Sequence, residues 1–236
     1  CGAGISILVE PAKIDDAAIF TLLSGYRDRK PVLWQSDGES RAARLCENVS
    51  PPAQLWDGNS FSALFEPPLR LVIIGSDATA LALAGLALHL GTETVLVDPG
   101  GPANAPFAGM GYLRSSTVEK LPLDCWTAVA VVTHDRENDE SMLAAALSSD
   151  AFYVGAIGAR SRLQSRVERL QQLGVSAADI ERLRAPIGLH GLGKSPRDIA
   201  LSILSEVKRD FHSRSARASS AGVSTSSIAP SPVVGR

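Results

Sequence analysis

Arg160, Lys194 and Ser195 are the side chains in this sequence best suited to an anion. Arg160 stands just past the glycine turn Tyr153-Val-Gly-Ala-Ile-Gly158, with Arg162 two residues on. A guanidinium matches phosphate through its planar fork of donors. The plainer reading is a solvated basic helix face, since Arg166 and Arg169 follow at helical spacing. Residues 188–195 read Gly-Leu-His-Gly-Leu-Gly-Lys-Ser, formally the G-x-x-x-x-G-K-S phosphate-loop pattern. A hydrolase loop of that kind follows a buried strand, and Ala185-Pro186-Ile187 offers none. No later apolar strand ends in an acid for magnesium, so a nucleotide hydrolase is excluded. Glycines ahead of a helix still allow anion binding. The alternative is a helix start with Ser195 as cap and Pro196 as first residue.

Asp98 stands 23 residues after Gly75, close to the spacing of the acid that holds a ribose in dinucleotide-binding units. A strand-end carboxylate without a ligand explains it equally well. The turn that should cradle the phosphates reads Gly75-Ser76-Asp77-Ala78-Thr79-Ala80, with one glycine where three are wanted. Asp77 caps the following helix but repels a pyrophosphate. The unit therefore reads as an empty or repurposed dinucleotide fold. An NAD(P)-dependent oxidoreductase with a degenerate turn is the alternative. His134-Asp135 closes a third apolar run: His134 contacts a ligand there, or it packs under a loop while Asp135 caps the next helix. Cys1 sits in a glycine-rich opening, where a thiolate could ligate a soft metal or carry sulfur. Otherwise it is a residue left by truncation. Cys46 and Cys125 read as structural.

The elements that must position these residues are legible as apolar runs. Residues 69–74, 94–98, 128–133 and 152–157 are continuous runs without alternation, as in parallel strands buried on both faces. Helices are expected over 78–90, 137–147 and 160–173, then a short one from Ser176 and a last one from Pro196 with Ile199, Ile203 and Val207 inward. Residues 99–111, with four glycines and three prolines, form a loop over the carboxyl edge of the sheet. Ahead of this unit a strand is expected at 5–10. A helix follows from Asp15-Asp16 to about Arg27 with Ile19, Leu22, Leu23 and Tyr26 on one face, then a strand at 31–35. Residues 37–68 read as loop-rich, and from His212 the Ser/Arg/Ala/Pro-rich tail reads as disordered. The class is α/β: a Rossmann-like parallel sheet flanked by helices over residues 69–210, preceded by a small partial α+β piece over 1–66 and followed by a tail over 211–236.

Bulk properties narrow the function. The chain has 236 residues and a net charge of −2, which gives no electrostatic case for nucleic acid or a membrane surface. Its longest apolar run, residues 78–90, is too short to span a bilayer. Three scattered cysteines and four scattered histidines make no structural zinc pattern and point to a reducing cytoplasm.

Several stretches, in this order, resemble the XdhC/CoxI family, accessory proteins of xanthine dehydrogenase and related molybdenum hydroxylases. They are Cys1-Gly2 with Val9-Glu10-Pro11, Val97-Asp98-Pro99, Val132-Thr133-His134-Asp135, Tyr153-Val-Gly-Ala-Ile-Gly158 with Arg160, and Ala185-Pro-Ile-Gly188 with Lys194 and Ser195-Pro196. The resemblance implies a maturation factor more than a catalyst. It would bind the molybdenum cofactor (molybdopterin) transiently while a cysteine desulfurase supplies the terminal sulfur, then deliver it to an apo molybdenum hydroxylase of the xanthine dehydrogenase kind. It implies cofactor-binding roles for Cys1, Asp98, His134, Arg160, Lys194 and Ser195, with Asp98 toward a pterin nitrogen and Lys194 and Ser195 toward the phosphate. Such proteins are often homodimers, and full-length ones carry a domain before the cysteine, most of which this sequence is expected to lack. Three polar positions depart from the family pattern. Gly75-Ser-Asp-Ala stands for Gly-Ala-Gly-His, Gly100 for an arginine after Asp-Pro, and His190 for an aspartate after Ile-Gly-Leu.

Overall fold

The computed structural model describes residues 7–46, 54–118, 121–133 and 136–221. The chain divides into two compact units, Cys1–Pro67 with Ser213–Arg236, and Pro68–His212. Among the described residues no helix is long and apolar enough to cross a membrane.

The first unit holds helix α1 (Ala17–Asp28) and four antiparallel strands, β1 (Val32–Ser36), β2 (Arg41–Leu45), β3 (Gln54–Trp56) and β4 (Phe61–Phe65), in the order β2-β1-β4-β3. Asp16 caps α1 by accepting the Ala18 and Ile19 amides, and its carboxylate pairs with Arg41 at 2.8 Å. The expected strand at 5–10 is not formed over 7–10, where Ile7 and Val9 are solvent-exposed and no neighbouring strand supplies a ladder. The expected loop at 37–68 instead holds β2, β3 and β4. Its two hairpins turn on Asp37-Gly-Glu-Ser40 and Asp57-Gly-Asn-Ser60, an Asp-Gly signal for tight turns. The two turns are alike bond for bond: each aspartate accepts two amides and a serine hydroxyl at 2.7–3.0 Å. The buried side of α1 is also turned from the expected one. Ala18 and Gly25 are buried and Ile19 and Leu22 half-buried, while Leu23 and Tyr26 face solvent.

The second unit is a six-stranded parallel sheet. Its strands are β5 (Arg70–Ile74), β6 (Glu93–Val97), β7 (Gly111–Leu113), β8 (Thr127–Val131), β9 (Tyr153–Ala156) and β10 (Leu183–Arg184), in the order β10-β9-β8-β5-β6-β7. Strand order reverses between β5 and β8, which is the topological switch point of a Rossmann-like sheet. Alternate residues of β5 serve two cores. Leu71 and Ile73 pack with α2 (Ala78–His89) and the last helix, α6 (Pro196–Ala221), through Leu83, Ala84, Ile203 and Leu204. Val72 and Ile74 pack with α3 (Arg136–Leu147) and α4 (Leu163–Gln172) through Leu143, Leu147 and Leu170. Burial on both faces is why the strands read as unbroken apolar runs. A short helix, α5 (Ala177–Glu181), leads to β10.

Two boundaries differ from expectation. The last helix continues through Ala221, so residues 212–221 are helical, not disordered. Ala and Arg are good helix formers, and extending a formed helix needs no new nucleus. The expected helix at 160–173 begins as a 3-10 turn, Arg160–Arg162, before α4.

Candidate carboxyl-edge site

The parallel strands all end on one rim. After β5, the Gly75 amide donates to Val97 O at 3.0 Å. Gly75 has φ +135°, and a methyl group there would lie 2.9 Å from the Val132 carbonyl oxygen. Glycine is thus required because the turn passes against the end of β8, even though the phosphate motif is absent. Asp77 accepts the Ala80 amide at 2.8 Å as the cap of α2, and Ser76 is exposed beside it. The carboxylate occupies the place where a dinucleotide's phosphates would meet the helix.

Asp98 follows β6, and its amide donates to Leu113 O at 2.9 Å. The side chain is nearly buried at 7% exposure. Gly101 closes over it: a methyl group at 101 would come within 2.2 Å of Asp98 Oδ2 and 2.0 Å of the Tyr112 hydroxyl oxygen. The Tyr112 hydroxyl donates to Pro102 O at 3.1 Å, which ties the loop down beside the acid. A carboxylate here accepts hydrogen bonds from ligand N–H or O–H groups.

After β8, Thr133 is half-buried; His134 and Asp135 lie outside the described residues, as does Cys1. After β9, Arg160 is exposed, and its Nη2 lies 2.9 Å from His190 Nε2. A guanidinium only donates, so in this contact Nε2 is the acceptor. His190 belongs to the loop after β10, so this contact joins two loops of the rim. Arg166 turns back to donate to Ile157 O at 3.1 Å and braces the Gly158 turn.

Lys194 is exposed at the start of α6. Ser195 is engaged as a cap. Its amide and hydroxyl donate to Asp198 Oδ2 at 3.2 and 2.7 Å, and the Asp198 amide returns to Ser195 Oγ at 3.2 Å. That is a reciprocal capping box, and it places an acid in the first turn of α6. The strand that leads into this glycine loop is the two-residue β10, which ends seven residues before Gly191.

One residue of consequence escaped the sequence reading. Glu206 of α6 accepts the Gly188 amide at 2.8 Å and the Tyr153 hydroxyl at 2.6 Å on the same oxygen. Burial first, then the Glu206 carboxylate, pushes the Tyr153 phenol far above its ordinary range. The pair fixes the loop that carries His190. The signal was an acid on the inward stripe of α6, between Ile203 and Val207. The structure therefore brings Arg160 and His190 together, sets Asp98 three strands away on the same rim at roughly 14 Å by strand spacing, and keeps Ser195 for its own helix.

Residues 71–207 match the family model described as the XdhC Rossmann domain. The chain is 29% identical over 210 residues to the molybdenum cofactor insertion chaperone PaoD of Escherichia coli, covering 88% of this chain and 59% of that protein. It is 24% identical over 158 residues to a probable xanthine dehydrogenase subunit of Bacillus subtilis, covering 63% and 45% respectively. The crystal structure of a xanthine dehydrogenase from Bacillus halodurans shares the fold, with a TM-score of 0.62 at 19% identity over 84% of this chain and 66% of that one. The chain thus spans less than two thirds of the length of these curated relatives. With the family match covering more than half of its residues, the chain belongs to the XdhC Rossmann domain family.

Proposed function

We propose that this chain binds the molybdenum cofactor at the carboxyl edge of its parallel sheet and helps insert it into a molybdenum hydroxylase of the xanthine dehydrogenase kind. The observation that carries this reading is the family match over the whole of the second unit's sheet, joined to a relative that is a cofactor insertion chaperone. The rim's chemistry agrees with such a cargo. Asp98 offers a nearly buried acceptor to the N–H groups of a pterin, and Arg160 offers the donor fork that suits its phosphate. Asp77 at the cap of α2 argues against the oxidoreductase alternative, because it sets a negative charge where NAD(P) would lay its pyrophosphate.

In this reading the chain carries out no bond-making step. It shields the cargo while a cysteine desulfurase supplies sulfur, and releases it to the apo-enzyme. Cofactor-binding roles for His134, Cys1 and Lys194 belong to the same proposal. A homodimer and a cytoplasmic setting belong to the same proposal.

The test is transfer. Purified chain carrying cofactor is mixed with apo xanthine dehydrogenase, and activity is followed. The proposal expects faster activation than with free cofactor, and slower activation with Arg160→Ala. Equal rates with and without the chain would refute it.

A further inference from the structure

The family match covers residues 71–207, so it assigns no task to the first unit. Helix α1 of that unit carries large apolar residues at Ile19, Leu22, Leu23 and Tyr26, the i, i+3, i+4, i+7 spacing of a stripe that packs against another surface. The buried residues of α1 are instead Ala18 and Gly25. A methyl group at Gly25 would lie 2.2 Å from Val32 Cγ2 and 3.3 Å from Leu45 Cδ2. The missing side chain lets helix and sheet approach closely, and the larger residues are left on the flank. Leu23 stays 53% and Tyr26 68% exposed. Together with Leu22 they form one wall of a groove that Phe65 and Pro67 close on the other side, with Lys30 and Glu66 completing the lining. Its volume of about 270 Å³ lies below the roughly 300–1,000 Å³ of small-molecule sites. A hollow of that size beside a helix suits a side chain inserted from another helix.

We propose that this flank is a self-association surface, on which α1 of one copy lies antiparallel against α1 of a second copy. Self-complementarity decides the occupant. A two-fold axis between Leu22 and Leu23 passes through the middle of Ala17–Asp28. It sets Leu22 beside Leu23 of the other copy, and Ile19 beside Tyr26 of the other copy. The same axis sets Asp15, one residue ahead of the N-cap, beside Lys30 of the other copy, one residue past the C-cap. Both side chains are exposed. Each charge therefore meets its opposite, once at each end of the helix pair, and the two helix dipoles oppose. A parallel pairing would lay Asp15 on Asp15 and Lys30 on Lys30. One helix flank and one strand end from each copy make an interface at the small end of the specific range, so the dimer is weak and reversible. The homodimer named with the carboxyl-edge reading thereby gains a surface, and only that part of the reading is needed here.

The test is sedimentation velocity of the purified full chain from about 1 to about 300 μM, the range of weak association. A monomer–dimer equilibrium with a micromolar midpoint is expected. Leu23→Asp should weaken it at least about tenfold, because it sets a charge in the apolar seam. Leu173→Asp, at a leucine of the second unit that is 54% exposed, should leave it unchanged. Asp15→Lys and Lys30→Asp should each weaken the dimer about three- to tenfold, the order for exposed ion pairs turned to repulsion. Joined in one chain the two should restore it, since the pair is then reversed and not lost. Far-UV circular dichroism checks that each variant keeps its fold, and the charge exchange touches no core residue. A chain that stays monomeric up to about 300 μM, a dimer indifferent to Leu23→Asp, or a double charge variant no better than its single parents would overturn the inference. Association that survives all three substitutions means that another surface pairs. No cofactor enters the experiment, so dimerisation and cofactor binding can fail separately.

Discussion

One carboxylate oxygen of Glu206 accepts both the Gly188 amide, at 2.8 Å, and the Tyr153 hydroxyl, at 2.6 Å. A helix, a strand and a rim loop are thereby joined at a single acceptor inside the fold. Removing the acceptor leaves two donors unsatisfied in a nearly buried place. Glu206→Leu is predicted to destabilise the chain by about 2–6 kcal/mol, at about 1–3 kcal/mol for each donor left unsatisfied. Glu206→Gln keeps an oxygen that can accept both donors and should cost less than about half of that. Urea unfolding of the two variants checks the difference.

The same pair predicts an alkaline limit. The folded chain holds the Tyr153 proton more tightly than the unfolded chain does. Stability from this group is therefore full below the ordinary phenol value of 10.0 and declines as pH rises above it, because only the unfolded chain ionises there. Thermal midpoints measured across that range should fall with pH in the wild type. In Tyr153→Phe this part of the decline should vanish.

An acid limit follows from the twin hairpins of the first unit. Asp37 and Asp57 are held below the ordinary aspartate value of 3.8, chiefly by the Ser40 and Ser60 amides. Depressed acids contribute above the unfolded value, and the contribution is lost as pH falls through the folded one. Asp57→Asn should flatten the loss of hairpin order below that value. The amide chemical shifts of Asn59 and Ser60, followed by acid titration, report it directly.

Gly75 gives a steric prediction. Its φ of +135° and the 2.9 Å approach to Val132 O leave no room for a side chain. Gly75→Ala is predicted to cost about 1–3 kcal/mol, through backbone strain and displacement of the β8 end. A chemical-denaturation midpoint measures it, and an unchanged midpoint would mean that the turn can move.

These cases show which parts of the sequence were readable. The parallel strands announced themselves, because burial on both faces leaves runs such as Leu71 to Ile74 with no polar interruption. Residues 37–68 did not, because β2 to β4 are short and mostly exposed or half-exposed, and only their Asp-Gly turns marked them. On α1, burial runs through Ala18 and Gly25, so the large apolar residues misstated which side faces inward. The rim was legible where spacing along one strand-turn-helix unit decides it, as at Gly75, Asp77 and Asp98. It was illegible where two distant segments meet. The contact of Arg160 with His190 and that of Glu206 with Gly188 depend on β9, β10 and α6 coming together, and no local pattern encodes it.

The central claim is that the rim binds the cofactor through Asp98 and Arg160. Its most direct test is to purify the full chain from cells that make molybdenum cofactor and to assay pterin and molybdenum in the eluted protein. The account predicts that both co-elute with the chain, and that both are lost from a folded Asp98→Ala, Arg160→Ala double variant. Elution free of pterin, or retention undiminished in that variant, would contradict it.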